Sequence, residues 1–515
     1  MRLGRRSRRR RWSAAVAAVA VITAGCSGAA TAARSQPEPT TLAGYYAQRL
    51  SWHSCDHGFQ CATLVVPFDY GRPGWRRFTL PVIKLPASDP SQRIGALVTN
   101  PGGPGGSGVQ YVLGARSEFP AAVRARFDIV GFDPRGVAGS VPALHCLTGP
   151  QLDQYLAVND EPADPAQLTA VIKVSKQYAA RCEDNSGSLL PYVGTRNAAR
   201  DMDVLRAALG EAKLTYLGKS YGTYLGTWYA QLFPHRVRAL VLDGAVDPDT
   251  ASLAEDVTQA EGFQIAFGSF VAWCVRSGNC PLGAGDAVAV VQGLVNRATA
   301  APLASQLQDG QVADGEMLLT GVVAALYSTY YWPDLRTGLA NALAGDGTVM
   351  VELANLLFER NANGTYPNLA DADTSISCLD RPWPRSLAAW QSAAATAGRA
   401  APLFGASFVW GSLACAYWPV PSYPLPRIRA AGAPPILVVG TLRDPATPYR
   451  EAQALAGDLS SGVLLGWNGD GHTAYGEGSA CVDTIVNDYL INLTVPRSGM
   501  VCQLSPEPKR SARQA

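Results

Sequence analysis

The stretch "LTYLGKSYGTYLGTWYA", residues 214–230, decides the fold. Leu214 to Gly218 read as a short β-strand, and from Tyr221 onward the pattern turns amphipathic and helical. At the joint stands Gly218-Lys219-Ser220-Tyr221-Gly222, a G-x-S-x-G arrangement. A nucleophilic serine on a strand-to-helix elbow needs a strained backbone, and side chains two residues to either side would collide with the neighbouring chain. The spacing therefore predicts Ser220 as a nucleophile, with a helix from Tyr221 to about Phe233 that ends before Pro234.

A serine hydroxyl needs a base, and the chain has five histidines: His53, His57, His145, His235 and His472. The first three sit beside cysteines, and His235 lies at the far end of the nucleophile's own helix. His472, in "NGDGHTAYG", follows the last strand-like run, "GVLLGW". "PPILVVGTLRDPATP" puts Asp444 just past a late strand, where its carboxylate would orient the imidazole. Asp458 falls in a helix-like stretch, and Asp470 is too near His472 in sequence to reach it from another loop. The order Ser, Asp, His is that of an α/β-hydrolase fold. "TNPGGPGGSG" after "GALV" supplies a bare-backbone loop for an oxyanion hole, with the amide of Tyr221 as one donor and that of Gly103 or its neighbour as the other. It lacks the lysine and Ser/Thr of a phosphate-binding P-loop.

Working outward, "CATLVVPFDY" and "RFTLPVIKLPA" read as a β-hairpin through "GRPGW". "GALVTN", "FDIVGFD", "LTYLG", "VRALVLDGA", "PPILVVGT" and "GVLLGW" read as further strands. "RNAARDMDVLRAALG" puts Ala199, Met202, Leu205 and Leu209 on one helical face, with Gly210 as its stop. The expected fold is a mostly parallel sheet with helices on both faces and a large, mainly helical cap. The chain then divides into a signal peptide (1–25), a flexible spacer (26–50), a first core segment (51–247), the cap (248–425), a second core segment (426–505) and a disordered tail (506–515).

The signal reading rests on seven arginines ahead of "WSAAVAAVAVITAGCSG", whose apolar run is too short to span a bilayer. "TAGC" resembles a lipobox with Cys26 as the lipidated residue, so a membrane tether is expected. Without the signal the formal charge of +2 becomes −5, and nothing points to nucleic acid as a partner. Eleven cysteines less Cys26 leave an even ten, which in an exported chain implies disulfides. Proximity suggests Cys55–Cys61, Cys146–Cys182, Cys274–Cys280, Cys378–Cys415 and Cys481–Cys502, although spacing alone does not fix connectivity. No cysteine and histidine cluster has zinc-site spacing.

Six motifs in order carry a family resemblance: "NPGGPGGSG", "GFDPRGVAGS", "GKSYGTYLGTWYA", "FPHRVRALVLDGAVDP", "RDPATP" and "GDGHTAYG". Together they resemble the prolyl-iminopeptidase-like α/β-hydrolases, and within them the exported actinobacterial tripeptidyl aminopeptidases and mycobacterial lipoprotein serine proteases. The resemblance implies a serine exopeptidase with Ser220, Asp444 and His472 as its triad, acting on a peptide or protein with a free N-terminus. It implies no metal or organic cofactor. Asn100-Pro101 stands where prolyl iminopeptidases usually carry a histidine, so proline specificity is not implied. Such enzymes hold the substrate's amino group with cap carboxylates; Glu255, Asp256, Glu261, Asp334 and Asp380 are available, with Glu261 and Asp380 in the most family-like stretches. The alternatives are a carboxylesterase or lipase, or a substrate-specific endoprotease, using the same triad.

Overall fold

The computed structural model describes residues 39–504 apart from 163, 284 and 426. The signal, Cys26 and the tail from 506 lie outside these residues. Ten strands form one sheet: β1 (His53–Ser54), β2 (Gln60–Pro67), β3 (Arg77–Leu85), β4 (Gly95–Asn100), β5 (Phe127–Phe132), β6 (Leu214–Lys219), β7 (Val237–Asp243), β8 (Ile436–Arg443), β9 (Gly462–Asp470) and β10 (Met500–Cys502). Their order across the sheet is β1-β2-β3-β5-β4-β6-β7-β8-β9-β10. The contacts β1/β2, β2/β3 and β3/β5 are antiparallel; those from β5 through β4 to β10 are parallel. The expected mostly parallel sheet is thus the observed one.

Parallel strands need crossover connections, and these cover both faces of the sheet. Leu240, Leu242, Ile436 and Val438 point into one core with the helix Thr195–Ala208, where Ala199, Met202 and Leu205 are buried. The alternate residues Ala239, Val241, Leu437 and Val439 point into the opposite core with the helix Ala480–Asn492. Burial on both faces is why β4, β5 and β6 are buried at every position. Arg135 of "GFDPRG" is wholly buried and bonded to Asp201, as well as to the carbonyls of Pro67, Phe68 and Tyr192. That one guanidinium fastens the end of β2 to the helix behind the sheet.

Between β7 and β8 lie helical elements from Ser252–Ser277 to Leu413–Tyr417, with their own core around Phe263, Phe267, Leu318, Trp332 and Met350. A second excursion joins them. Between β5 and β6, the helix Pro165–Ser186 packs on the insertion through Val171 against Trp390 and Trp410, and the helix Gly149–Leu156 is held to it by Asp153, which accepts from Arg360. In the sequence this excursion reads as part of the first core segment, 51–247; in the fold it belongs with the cap. The spacer expected to run to residue 50 also needs correction: Leu42–Tyr46 is a helix whose Tyr45 is buried, and Tyr46 donates to Asp203 at 2.6 Å. The five disulfides join the pairs that proximity suggested. No described helix is long and apolar enough to cross a membrane.

Candidate active site

Ser220 stands between β6 and the helix Tyr221–Leu232 with φ 56° and ψ −130°, a conformation most side chains avoid. A Cβ on Gly218 would lie 2.3 Å from the Gly222 carbonyl oxygen, and one on Gly222 would lie 2.7 Å from that of Asn100. The glycines of the motif are therefore required by contact. The Ser220 amide donates to the Asp243 carbonyl at the end of β7 (2.9 Å), and the Thr223 hydroxyl donates to the Ser220 carbonyl (2.6 Å). Neighbouring strands hold the turn closed.

Asp444 directly follows β8 and is 1% exposed. Its Oδ1 accepts from His472 Nδ1 at 2.8 Å and from the amides of Ala446 (3.0 Å) and Thr447 (2.9 Å). Its Oδ2 accepts from the Thr473 amide at 3.0 Å. A carboxylate facing Nδ1 fixes the proton there, so Nε2 is the basic nitrogen. That Nε2 is buried and has no hydrogen-bond partner among the described residues. The alternatives for the acid are engaged elsewhere: Asp470 pairs with Arg443 and Asp458 with Arg429.

The loop bearing His472 is fixed by groups that sequence reading did not identify. Asp243, wholly buried, accepts from the amides of Ala474 and Tyr475, and burial pushes its carboxyl up to about 6. From the insertion, the Tyr327 carbonyl accepts the His472 amide at 2.7 Å, and its ring meets the imidazole edge to face at 5.4 Å. A Cβ on Gly244 would meet His472 Cε1 at 3.2 Å, which sets the imidazole against the same Asp243-Gly244 corner that receives the Ser220 amide.

The expected oxyanion loop lies on the elbow. A Cβ on Gly102 would come within 2.8 Å of Ser220 Cβ and 3.2 Å of the Tyr221 nitrogen. The Gly102 amide is taken by Asn100 Oδ1 (3.0 Å), so the next amide, on Gly103, is the loop's candidate donor, opposite Tyr221. Both residues and Ser220 line a cavity of about 530 Å³, within the size range of ligand sites.

The cavity wall is acidic. Asp160, Glu255, Asp256, Glu316, Asp373 and Asp380 line it, against the single guanidinium of Arg381 among the described residues. Glu255 pairs with Arg381. Burial raises Asp373 and Asp380 to about 7 and also raises Asp160, Asp256 and Glu316. Asp380 accepts from both the amide and the hydroxyl of Thr195. Glu261, the other expected anchor, does not reach the cavity; it points away on the helix Ser252–Ser277 and pairs with Arg450 at 2.5 Å. Asp334 is exposed and also outside the lining. Of the aromatic run 326–335, Tyr327 faces the cavity while Trp332 packs in the insertion's core.

A serine on a strained elbow and an Asp-bound histidine set against the same Asp243-Gly244 corner, on a mostly parallel sheet, define an α/β-hydrolase. The comparisons agree with that class. Residues 401–502 match the family described as TAP-like protein. Serine protease Hip1 of Mycobacterium tuberculosis is 38% identical over 529 residues, covering 98% of this chain and 100% of that protein. Carboxylesterase B of the same organism is 40% identical over 481 residues, 88% and 90% of the two chains. The tripeptidyl aminopeptidase of Streptomyces lividans is 33% identical over 476 residues, 89% and 88%. The chain belongs to this TAP-like, prolyl-iminopeptidase-like family of α/β-hydrolases, and it is a serine hydrolase.

Proposed function

We propose that the protein is a secreted serine exopeptidase that releases short peptides, tripeptides in the first instance, from free N-termini. The observation that carries this reading is the acidic cavity over Ser220, where burial keeps carboxyls neutral until a cation arrives beside them and Asp256 Oδ2 has no hydrogen-bond partner among the described residues. An ammonium group is stabilised among carboxylates, whereas an acyl chain gains nothing from them. Asp256 and Asp373, on different helices of the insertion, are the proposed holders of the substrate's amino group.

In the proposed reaction Ser220 attacks the scissile carbonyl as His472 Nε2 takes its proton, and Asp444 stabilises the imidazolium. The amides of Tyr221 and Gly103 receive the developing oxyanion at the start of the helix Tyr221–Leu232, where free N–H groups favour negative charge. The imidazolium then protonates the leaving amine. Water, activated by the same histidine, releases the acyl group.

Cys26 is the proposed lipid-bearing residue of an exported chain, and five disulfides support an oxidising compartment. The test compares tripeptide amides with free and acetylated N-termini against short acyl esters. Cleavage of the free-amine peptide, largely lost on acetylation, is expected. Ester hydrolysis with neither peptide cut would favour the carboxylesterase reading, which one relative's name keeps in view. Internal cuts in longer peptides would favour an endoprotease.

A further inference from the structure

The resemblance offers Asp380 as a holder of substrate, but in the fold each of its oxygens accepts from Thr195. The Thr195 amide donates to Oδ1 at 2.9 Å, and the Thr195 hydroxyl donates to Oδ2. A hydroxyl has one proton. Having given it to Asp380, Thr195 Oγ1 accepts at its short contact with the Tyr221 hydroxyl. A continuous chain therefore runs from Tyr221 through Thr195 to Asp380, and its members are 9%, 0% and 6% exposed.

Each member belongs to a different part of the molecule. Asp380 ends the helix Leu369–Asp380 of the insertion, Thr195 begins the helix Thr195–Ala208 behind the sheet, and Tyr221 begins the helix after the elbow. The carboxylate also satisfies an amide that a helix N-terminus would otherwise leave unpaired. The approach is tight: a Cβ on Gly194 would meet Asp380 Oδ1 at 2.9 Å and the Tyr423 ring at 2.7 Å.

We infer that Asp380 and Thr195 are positioning residues, holding the Tyr221 side chain so that the Tyr221 amide is aimed at the oxyanion. The inference rests on the reading of Ser220 and Tyr221 as the reacting centre. An oxyanion donor acts only within a few tenths of an ångström of its proper place. Fixing the ring at its far end, on a group borne by the insertion, removes the freedom of the first helical residue to swing. The wall of the cavity thereby shares a bond network with the machinery under it.

Fluorophosphonate labelling of the wild-type protein comes first: failure to label Ser220 overturns the active-site reading, whatever the chain does. With labelling established, Thr195→Val cuts the chain in the middle and Tyr221→Phe cuts it at its end. Both are expected to lower kcat for a short acyl ester about tenfold, a part of the 10²–10³-fold lost with an entire donor, with KM within about twofold. Thr195→Ser, which keeps the hydroxyl, should restore kcat to within about twofold of wild type. An unchanged kcat in Tyr221→Phe, a change confined to KM, or a serine variant as impaired as valine would each overturn the inference. Should Thr195→Val not fold, Tyr221→Phe decides alone.

Discussion

Replacing Asp444 by asparagine tests how the base is held. The four donors around the carboxylate are divided three to one: His472 Nδ1 and the amides of Ala446 and Thr447 meet Oδ1, while the Thr473 amide alone meets Oδ2. Asparagine has one acceptor to give, and it will face the three. Its NH2 then opposes the Thr473 N–H, which costs about 1–3 kcal/mol of stability for a buried donor left without a partner. The imidazole keeps its proton on Nδ1, so the tautomer is preserved and only the negative charge is lost. Hydrogen bonds to charged groups contribute about 1.5–3 kcal/mol. Removing that from the transition state lowers kcat/KM roughly 10- to 150-fold. A flipped tautomer would instead cost about 10⁴-fold. Hydrolysis of a short ester at neutral pH, with the urea midpoint measured alongside, separates the two. A loss near 10⁴-fold would refute the three-to-one argument.

Arg135→Met leaves Asp201 buried without its ion-pair partner and should destabilise the fold by about 3–5 kcal/mol, read from urea unfolding; a change under about 1 kcal/mol would contradict the assigned role. Gly218→Ala would set a methyl 2.3 Å from the Gly222 carbonyl. Overpacking of that kind costs about 1–3 kcal/mol, with Ser220 labelling falling in step; full labelling at wild-type stability would contradict the close-contact reading. Burial raises Asp243 to about 6 and Asp373 and Asp380 to about 7, from an ordinary 3.8. The native state keeps these protons after the unfolded chain has released them, so stability falls as pH rises from about 4 to about 7. The urea midpoint should be lower at pH 7.5 than at pH 5, and a rising midpoint would count against this.

The sheet was legible because its strands are short apolar runs that end in turn residues, and the pair Asp444 and His472, which the structure joins by a hydrogen bond, because each lies just past such a run. What escaped depends on contacts between distant residues. β1 and β10 have two and three residues, too few for any pattern, and exist through their neighbours' hydrogen bonds. Tyr45 and Tyr46 follow a polar, proline-containing stretch that reads as a tether, yet Tyr46 is held by a residue 157 positions away. Asp243 closes a strand as many aspartates do, and only the fold brings Ala474 and Tyr475 to it. Glu261 stands out in the sequence for its family-like surroundings, which carry no information on its helical phase. It lies five residues after Asp256 on one helix, a turn of about 140° to the other side. Periodicity could have excluded it once Asp256 was known to face the cavity.

Two of the five disulfides bind the walls around the cavity. Cys415, itself a lining residue, is joined to Cys378, and Cys182 on the helix that carries Tyr178 is joined to Cys146. Near the edges of the sheet, Cys55–Cys61 and Cys481–Cys502 lie apart from that lining. Cys378 lies two residues before Asp380 on one helix, so the bond that ties the chamber wall also steadies the carboxylate from which the chain to Tyr221 starts. Oxidation in the exported chain would thus tighten entrance and catalyst together, and a reductant that opens this one bond should loosen both.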